Sequence, residues 1–279
     1  MDEHVSTARP AEEDTAEDWL RAVLRSIGAM RENLGDEHSL RTLAQVAWLS
    51  PFHFHRVFHK VTDSTPARFL AAWRMAEAKH RLAYTSDSVT DICMGIGYSS
   101  LGTFTSQFTR MVGVSPGRFR RLLAETGDLT FNRLLDEVAH QLPPPRRRQL
   151  SVAVTGGPGD AVPAVVGLFA TGIPQQRPAA CGVVRTPGQA PVGGLSDGVY
   201  HVLTMCFDDS VTVAEAVAMT DLDRCYVGAA DHPLSIKDGR ADAAGVVPVR
   251  LRGRRATDPP LVLALPLLLA TGLAQAPAA

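Results

Sequence analysis

The sequence predicts an all-α region followed by an all-β region within one chain of 279 residues. Three observations lead to this fold class. Apolar residues recur at helical spacing as far as about residue 142, the same part contains an internal repeat of 50 residues, and short β-rich runs follow a segment of prolines and arginines. The length allows two domains, and we expect the second to be sandwich-like.

The amino-terminal segment 1–17, MDEHVSTARPAEEDTAE, has almost no apolar side chains and is predicted to be a disordered acidic tail. From Asp18 the apolar positions follow helical spacing until Gly35, where we expect the helix to end. The segment is acidic and polar rather than basic and then apolar, so it differs from a signal peptide. We therefore expect a cytoplasmic protein.

The longest apolar run is LVLALPLLLATGLA, about 14 residues that start at Leu261 and include Pro266. A membrane-spanning helix needs about 20 apolar residues. The run is therefore predicted to form a pair of buried strands, and we expect no membrane partner.

Charge is distributed unevenly, although the whole chain has a formal net charge of -1. Residues 1–37 carry a net charge of -6, whereas residues 38–124 carry eleven basic and four acidic side chains, a net charge of +7. A basic block of this kind is typical of a protein that binds a polyanion.

The basic block matches itself when the sequence is shifted by 50 positions. In each copy a short apolar helix, predicted at Leu40–Ala47 and at Val89–Ile96, meets a tight turn and then a second helix. Two short helices joined in this way make a helix-turn-helix unit. The matched pairs are Ser50 and Ser100, Phe54 and Phe104, Phe58 and Phe108, Arg68 and Arg118, Phe69 and Phe119, with Val46 and Ile96 and Trp48 and Tyr98 as conservative matches.

Three histidines, His53, His55 and His59, lie in the second helix of the first copy, and each is a threonine in the second copy. His55 and His59 are one helical turn apart and could contribute to a metal site, but the sequence offers no further ligands at a recognisable spacing. We therefore predict no metal and no cofactor. All three histidines are assigned to a variable face that reads a binding partner.

Two runs identify a family. GIGYSSLGTFTSQFTRMVGVSPGRFRR, from Gly95 to Arg121, and LAQVAWLSPFHFHRVFHKVTDSTPARFL, from Leu43 to Leu70, resemble the AraC/XylS family of transcriptional regulators. The resemblance covers about 85 residues and implies an AraC-like, homeodomain-like double helix-turn-helix domain, predicted at 18–124. It also implies a regulator that binds double-stranded DNA. The β region shows no serine nucleophile motif, paired carboxylates or phosphate loop, so we expect no enzyme activity.

Helix-turn-helix proteins place the second helix of the motif in the major groove. The helices predicted at 51–61 and 101–111 would therefore read two successive grooves. The helix that joins the two copies, from Pro66 to about Tyr84, would span about 28 Å at 1.5 Å per residue. With a motif at each end, it could reach grooves about 34 Å apart.

Exposed positions of the two reading helices are expected to contact DNA. Arg56 is the best single candidate, since a guanidinium group can donate two hydrogen bonds to one guanine. The second helix has Gly102 and Ser106 where family members often carry Gln or Arg, so we expect it to contribute more to docking than to base recognition. The predicted base contacts are Phe52, His55, Arg56, Leu101, Thr105, Ser106 and Gln107. The predicted phosphate contacts are Ser50, Lys60, Ser99, Ser100, Arg110 and Arg118.

Residues 125–148 are predicted to form one more helix, near Leu129–Leu142, and then the semi-rigid linker PPPRRR. Residues 149–279 are predicted to form the β region, from the runs SVAVTG, AVVGLFATG, AACGVV, GVYHVLTMCF, CYVGAA and VVPVRLRG, with a weak helix near Val213–Met219. The resemblance implies that this region senses a small-molecule effector or forms a homodimer. RNA polymerase would be a further partner of an activator.

Two other functions remain open. Some DNA-repair methyl acceptors carry an AraC-like module, but their chemistry needs an activated cysteine. The four cysteines, Cys93, Cys181, Cys206 and Cys225, lack CxxC spacing and a neighbouring His-Arg motif, and we expect small buried apolar side chains. A β region that binds carbohydrate or another protein is the second alternative, weakened by the absence of tryptophan beyond the linker.

Overall fold

The computed structural model describes residues 9–141, 148–218, 223–242, 245–264 and 267–268. The helices are α1 (Arg9–Glu32), α2 (Leu40–Val46), α3 (Pro51–Thr62), α4 (Pro66–Tyr84), α5 (Val89–Gly95), α6 (Leu101–Val112), α7 (Pro116–Thr126), α8 (Phe131–Gln141) and α9 (Val213–Ala218). The strands are β1 (Arg148–Gly156), β2 (Val162–Phe169), β3 (Ala180–Thr186), β4 (Gly188–Gly193), β5 (Gly198–Phe207), β6 (Cys225–Ala229), β7 (Leu234–Lys237), β8 (Arg240–Ala241) and β9 (Val246–Gly253). A helical region followed by a strand-rich region is thus confirmed.

Helix α1 begins at Arg9, nine residues before the predicted start. The predicted disorder is therefore wrong for residues 9–17, while residues 1–8 lie outside the described ranges. Ion pairs between neighbouring turns support α1: Arg21 lies 3.1 Å from Glu17, four positions earlier, and 3.4 Å from Asp18, three positions earlier.

The first unit (α2 and α3) and the second unit (α5 and α6) each pack two phenylalanine rings against a third ring on the helix that follows. The ring centroids lie 5.5 Å apart for Phe54–Phe58 and 5.4 Å for Phe58–Phe69, and 5.7 Å for Phe104–Phe108 and 5.9 Å for Phe108–Phe119. All six side chains are fully buried. The repeat in the sequence therefore corresponds to the same packing of three phenylalanine rings in both units.

The alignment of the two copies with a shift of 50 positions is wrong for the residues that precede the turn. The amide of Leu49 donates to Ala44 O, and the amide of Tyr98 makes the equivalent bond to Cys93 O. Leu49 therefore matches Tyr98, and the expected pairing of Trp48 with Tyr98 is off by one residue. Helices α2 and α5 are 49 positions apart whereas α3 and α6 are 50 apart, because the second turn contains one extra residue.

The strand-rich region is one nine-stranded sheet with the order β3-β2-β5-β6-β9-β1-β4, and β7 and β8 extend from β5. Strands β1 and β9 pair in parallel, which places the start and the end of the region side by side. The terminal strands of the order, β3 and β4, are separated in the chain by Pro187 alone. The sheet must therefore curl until its two ends nearly meet, and the predicted sandwich is not confirmed.

Six β-rich runs and the helix near Val213 occur as predicted, but the described residues of the apolar run at Leu261, 261–264 and 267–268, form no strand. Its described residues bond to helical and loop segments instead: Leu263 N donates to Pro174 O and Ala264 N to Val112 O. Residues 142–147, which include most of the predicted linker, lie outside the described ranges.

Three apolar cores organise the part of the chain that the structure describes. The first unit, α1 and the start of α4 share one core. The inner face of the curled sheet forms a second core. The third core contains the rest of α4, the second unit, helices α7–α9, the outer face of β2 and β5, and the buried segment Val262–Ala264. The second unit is therefore packed directly onto the strand-rich region.

Candidate nucleic-acid interface

Helix α3 divides into a buried face and an exposed face. Ser50 caps its amino end by accepting a hydrogen bond from His53 N, Pro51 fills the first position, and Asp63 ends the helix in the left-handed conformation. Phe54, Val57 and Phe58 lie in the core. The side chains of Phe52, His55, Arg56 and His59 are exposed, and Phe52 is 82% accessible to solvent.

His53 does not belong to the exposed face, so its assignment there is wrong. Its ring packs edge-on against Trp19 of α1, with centroids 6.5 Å apart, and its Nε2 atom is buried. The cause is the position of α1, which covers this side of α3. Among the described residues, no three His, Cys, Asp or Glu side chains are grouped so that they could bind a metal ion.

Helix α6 has the same division with different chemistry. Ser100 caps it by accepting a hydrogen bond from Thr103 N, and Gly113 ends it at a φ of 99°. Leu101 and Ser106 are exposed, whereas Thr105 and Gln107 are half-buried. Gln107 occupies the position of the buried Val57, and its amide lies 3.7 Å from Met111 Sδ. The exposed face of α6 is uncharged until Arg110.

Two of the predicted phosphate contacts, Ser50 and Ser100, are also the residues that cap the reading helices. The oxygens of Ser50 and Ser100 accept from helix amides at 3.4 Å, which leaves each hydroxyl hydrogen able to donate to a phosphate. Ser99 is exposed and is the extra residue of the second turn. All three serines lie at the amino ends of the reading helices, where the helix dipole favours an anion.

Several basic residues counted in the block stabilise the fold instead of facing outward. Arg74 donates to Leu34 O and Asp36 O, and Arg120 donates to Leu82 O and Asp87 O. Lys79 is fully buried, and its Nζ donates to Leu261 O at 2.5 Å. The exposed basic side chains of the block are Arg41, Arg56, Lys60, Arg68, Arg110, Arg118 and Arg121.

Burial, together with the nearby charge of Arg254, lowers the pKa of Lys79 to about 7. Lys60 is also less free than expected, since its Nζ lies 4.5 Å from the ring centroid of Trp19. The positive charge available to a polyanion is therefore smaller than the sequence count and is carried mainly by arginines.

The strand-rich region contacts the carboxyl ends of both reading helices through the segment 170–176, which follows β2. At α3, Asp63 lies against Gly172 and is 3.4 Å from His201 Nδ1. At α6, Gln176 N donates to Met111 O at 3.0 Å. Helix-turn-helix proteins contact bases through the amino-terminal part of the reading helix. The strand-rich region thus holds the ends opposite to those expected to enter DNA.

Among the described residues, no helix combines the length and the apolar character needed to cross a bilayer.

Comparison with known proteins identifies the helical part. A family model described as a helix-turn-helix domain matches residues 43–122. The HTH-type transcriptional regulator Rv1931c of Mycobacterium tuberculosis is 35% identical over 97 residues, which are 35% of this chain and 38% of that protein. The bifunctional transcriptional activator/DNA repair enzyme AdaA of Bacillus subtilis is 28% identical over 105 residues, 38% of this chain and 48% of that protein.

The HTH-type transcriptional activator AarP of Providencia stuartii is 31% identical over 103 residues, which are 37% of this chain and 73% of AarP. With Rv1931c and AdaA the match covers less than half of the relative's length. The likeness thus lies in the two helix-turn-helix units, whose buried phenylalanines and serine caps the structure repeats. The chain belongs to the AraC-type family of helix-turn-helix transcriptional regulators.

Proposed function

We propose that the protein is a sequence-specific, DNA-binding transcription regulator that reads two successive major grooves with α3 and α6. The observation that carries the proposal is the repeated unit, with its two capped reading helices joined by α4. Helix α4 has 19 residues and spans about 28 Å. Neighbouring grooves on one side of a duplex are about 34 Å apart, so a single chain has the reach to contact both.

The two reading helices contribute differently to the proposed complex. On α3, Arg56 donates to a guanine, His55 bonds to a neighbouring base, and Phe52 packs on a thymine methyl or a sugar. On α6, Leu101, Thr105, Ser106 and Gln107 offer short or half-buried groups, which suit shape recognition more than base discrimination. Phosphates are contacted by Ser50, Lys60, Ser99, Ser100, Arg110 and Arg118.

The strand-rich region is proposed to regulate DNA binding, by sensing a small molecule or by forming a homodimer. If the protein is an activator, it would also contact RNA polymerase. Such a regulator would act in the cytoplasm, on the nucleoid. The position of the region supports a regulatory role, because it contacts the carboxyl ends of both reading helices.

We propose a non-enzymatic regulator rather than a methyl acceptor of the kind that the name AdaA describes. A methyl acceptor needs a cysteine with a lowered pKa. Here burial raises the pKa of Cys181 to about 11, and burial is also the main cause that raises the pKa of Cys206 and of Cys225 to about 12. Their chemistry is that of apolar packing.

The test compares Arg56→Ala with Ser106→Ala, the matched position 50 residues later. The full-length protein is first footprinted on genomic DNA to obtain a binding fragment. We expect Arg56→Ala to weaken binding by about 1–3 kcal/mol and to relax the preference at one base pair, because an exposed guanidinium contact is lost. Ser106→Ala should cost less, about 0.5–1.5 kcal/mol at most.

Salt provides the control. Binding through several phosphates releases counterions, so the affinity of both variants should fall steeply between low and moderate salt. An affinity that is insensitive to salt, or an Arg56→Ala protein with unchanged specificity at every base pair, would contradict the proposal. Circular dichroism checks that each variant is folded.

A further inference from the structure

A cavity of about 280 Å³ lies between the last turn of α3 and the outer face of β5 and β6. Val61 of α3 and Asp63, which follows the helix, form its roof, and Leu203 and Val227 of the strands form its floor. Pro174, Leu261, Arg252 and Asp258 line its sides. We propose that this cavity binds a small uncharged organic molecule with an apolar body and a hydrogen-bonding group.

The argument for an uncharged molecule is that the charged side chains along the protected walls of the cavity already have partners, whereas Asp231 and His232, which also line it, are exposed to solvent. Arg252 donates to both carboxylate oxygens of Asp258 at 2.7 Å. His201 Nδ1 lies 3.4 Å from Asp63 Oδ2. The amine of Lys60 lies over the ring of Trp19. A charged ligand would have to break one of these contacts or lose its own hydration without compensation, and both are costly.

The argument for an apolar body comes from the inner end of the cavity. A recess of about 30 Å³ adjoins it and shares Pro174, Leu203 and Leu261 with it. The recess is lined further by Phe169 and Leu263, both of which belong to the shared core. An apolar group would fit the recess, while polar groups would remain near His201 and Arg252 at the outer end. The total volume is at the small end of the range for ligand pockets.

The cavity is placed where a ligand could affect both reading helices, an inference that rests on the proposed function. Its roof is the end of α3, and its side is the segment that bonds to α6 through Gln176. Gly172 and Gln176 are four positions apart in the chain, a span of at most about 14 Å. A ligand that changes the distance between α3 and β5 would therefore move α3 relative to α6. Ligand and DNA would then alter each other's affinity by the same factor.

The binding experiment uses the full-length protein with labelled leucine and valine methyl groups. Benzyl alcohol, benzylamine and benzoate are titrated separately, because they share a ring and differ in charge. We expect benzyl alcohol to shift the methyl signals of Leu203, Val227 and Val61, and to bind more tightly than either ion. Equal or tighter binding of an ion, or shifts confined to other methyl groups, would overturn the proposal.

Two variants locate the site. Ala229→Phe places a ring at an exposed position of the cavity lining and should weaken benzyl alcohol binding by about tenfold or more, since the ring occupies the same volume. Ala124→Phe, at an exposed position of α7, is the matched control and should leave binding unchanged. Unchanged binding to a folded Ala229→Phe protein would overturn the proposal.

The effect of the ligand on DNA affinity is measured in a separate experiment. With the footprinted fragment, benzyl alcohol should change the affinity of the unmodified protein for DNA but not that of Ala229→Phe. Cavity binding without any effect on DNA affinity would overturn the coupling. Failure to bind any DNA would overturn the proposed function and leave the methyl-shift result standing.

Discussion

The two helix-turn-helix units have the same internal packing but different surroundings. The first unit shares a core with α1 and the start of α4, whereas the second shares a core with the sheet and the buried segment after Leu261. The first presents arginine and histidine on its reading helix, and the second presents glycine, serine and threonine. The unit that is less tied to the rest of the protein therefore carries the side chains that we propose to discriminate bases. The anchored unit supplies a rigid reference for it.

The turns of the two units differ as well. Gly97 takes the left-handed conformation in the second turn with a φ of 84°, and Trp48 takes it in the first with a φ of 59°. A bulky residue is strained there. Trp48 is 78% exposed and is held by Arg25, whose Cζ lies 4.1 Å from a ring centroid of the tryptophan. The first unit thus tolerates a local strain that the second avoids.

The largest effect is expected from truncating matched core residues, Phe58→Ala and Phe108→Ala. Each should lower the free energy of unfolding by about 3–5 kcal/mol, because a fully buried ring is replaced by a cavity. The two variants should differ in where amide hydrogen exchange becomes faster. Phe58→Ala should raise exchange mainly in α1–α3, and Phe108→Ala should also raise it in β2 and β5. Identical exchange patterns would show that the two cores are not distinct.

An intermediate effect is expected from pH at the junction between α4 and the strand-rich region. The pKa of Lys79 is about 7 when folded and 10.5 ordinarily, so the unfolded chain binds more protons between these values. Stability should therefore rise with pH in that window, by up to about 1.4 kcal/mol per pH unit.

Denaturant unfolding between pH 7 and pH 9 measures this rise, and Lys79→Met should abolish it because the titrating amine is removed. Lys237→Met, at an exposed position of β7, is the control and should retain the rise. A rise that persists in Lys79→Met would assign the pH dependence to another group.

The smallest effects are expected in the turns. Trp48→Gly should stabilise the protein by up to about 1 kcal/mol, because relief of the left-handed strain exceeds the loss of the Arg25 contact. Gly97→Ala should destabilise it, since the new Cβ would lie 2.8 Å from Gly35 O in a left-handed backbone. Thermal unfolding of both variants measures the difference, and a stabilised Gly97→Ala protein would contradict it.

Local sequence patterns predicted much of the reading helices α3 and α6, but less of the segments that pack against them. The recurrence of Ser50 and Phe54 as Ser100 and Phe104 was visible in the sequence, because the serine that caps a helix and the phenylalanine on its buried face are fixed by spacing within one helix. The inward position of His53 was missed because it depends on α1, which is distant in sequence. The strand β4 was also missed, since GQAPVG has Val192 as its one residue that favours strands, beside two glycines and a proline.

The sequence by itself determined the duplicated unit, the helix caps, the buried phenylalanines and the family, because each of these depends on residues close together in the chain. Only the tertiary structure decided that the second unit shares a core with the sheet, that Arg74 and Arg120 bond to backbone carbonyls, and that a cavity lies against α3. These features depend on contacts between segments up to 182 positions apart, such as Lys79 and Leu261. Periodicity shows which side of an element is buried, but the partner that buries it is chosen by the packing of the whole chain.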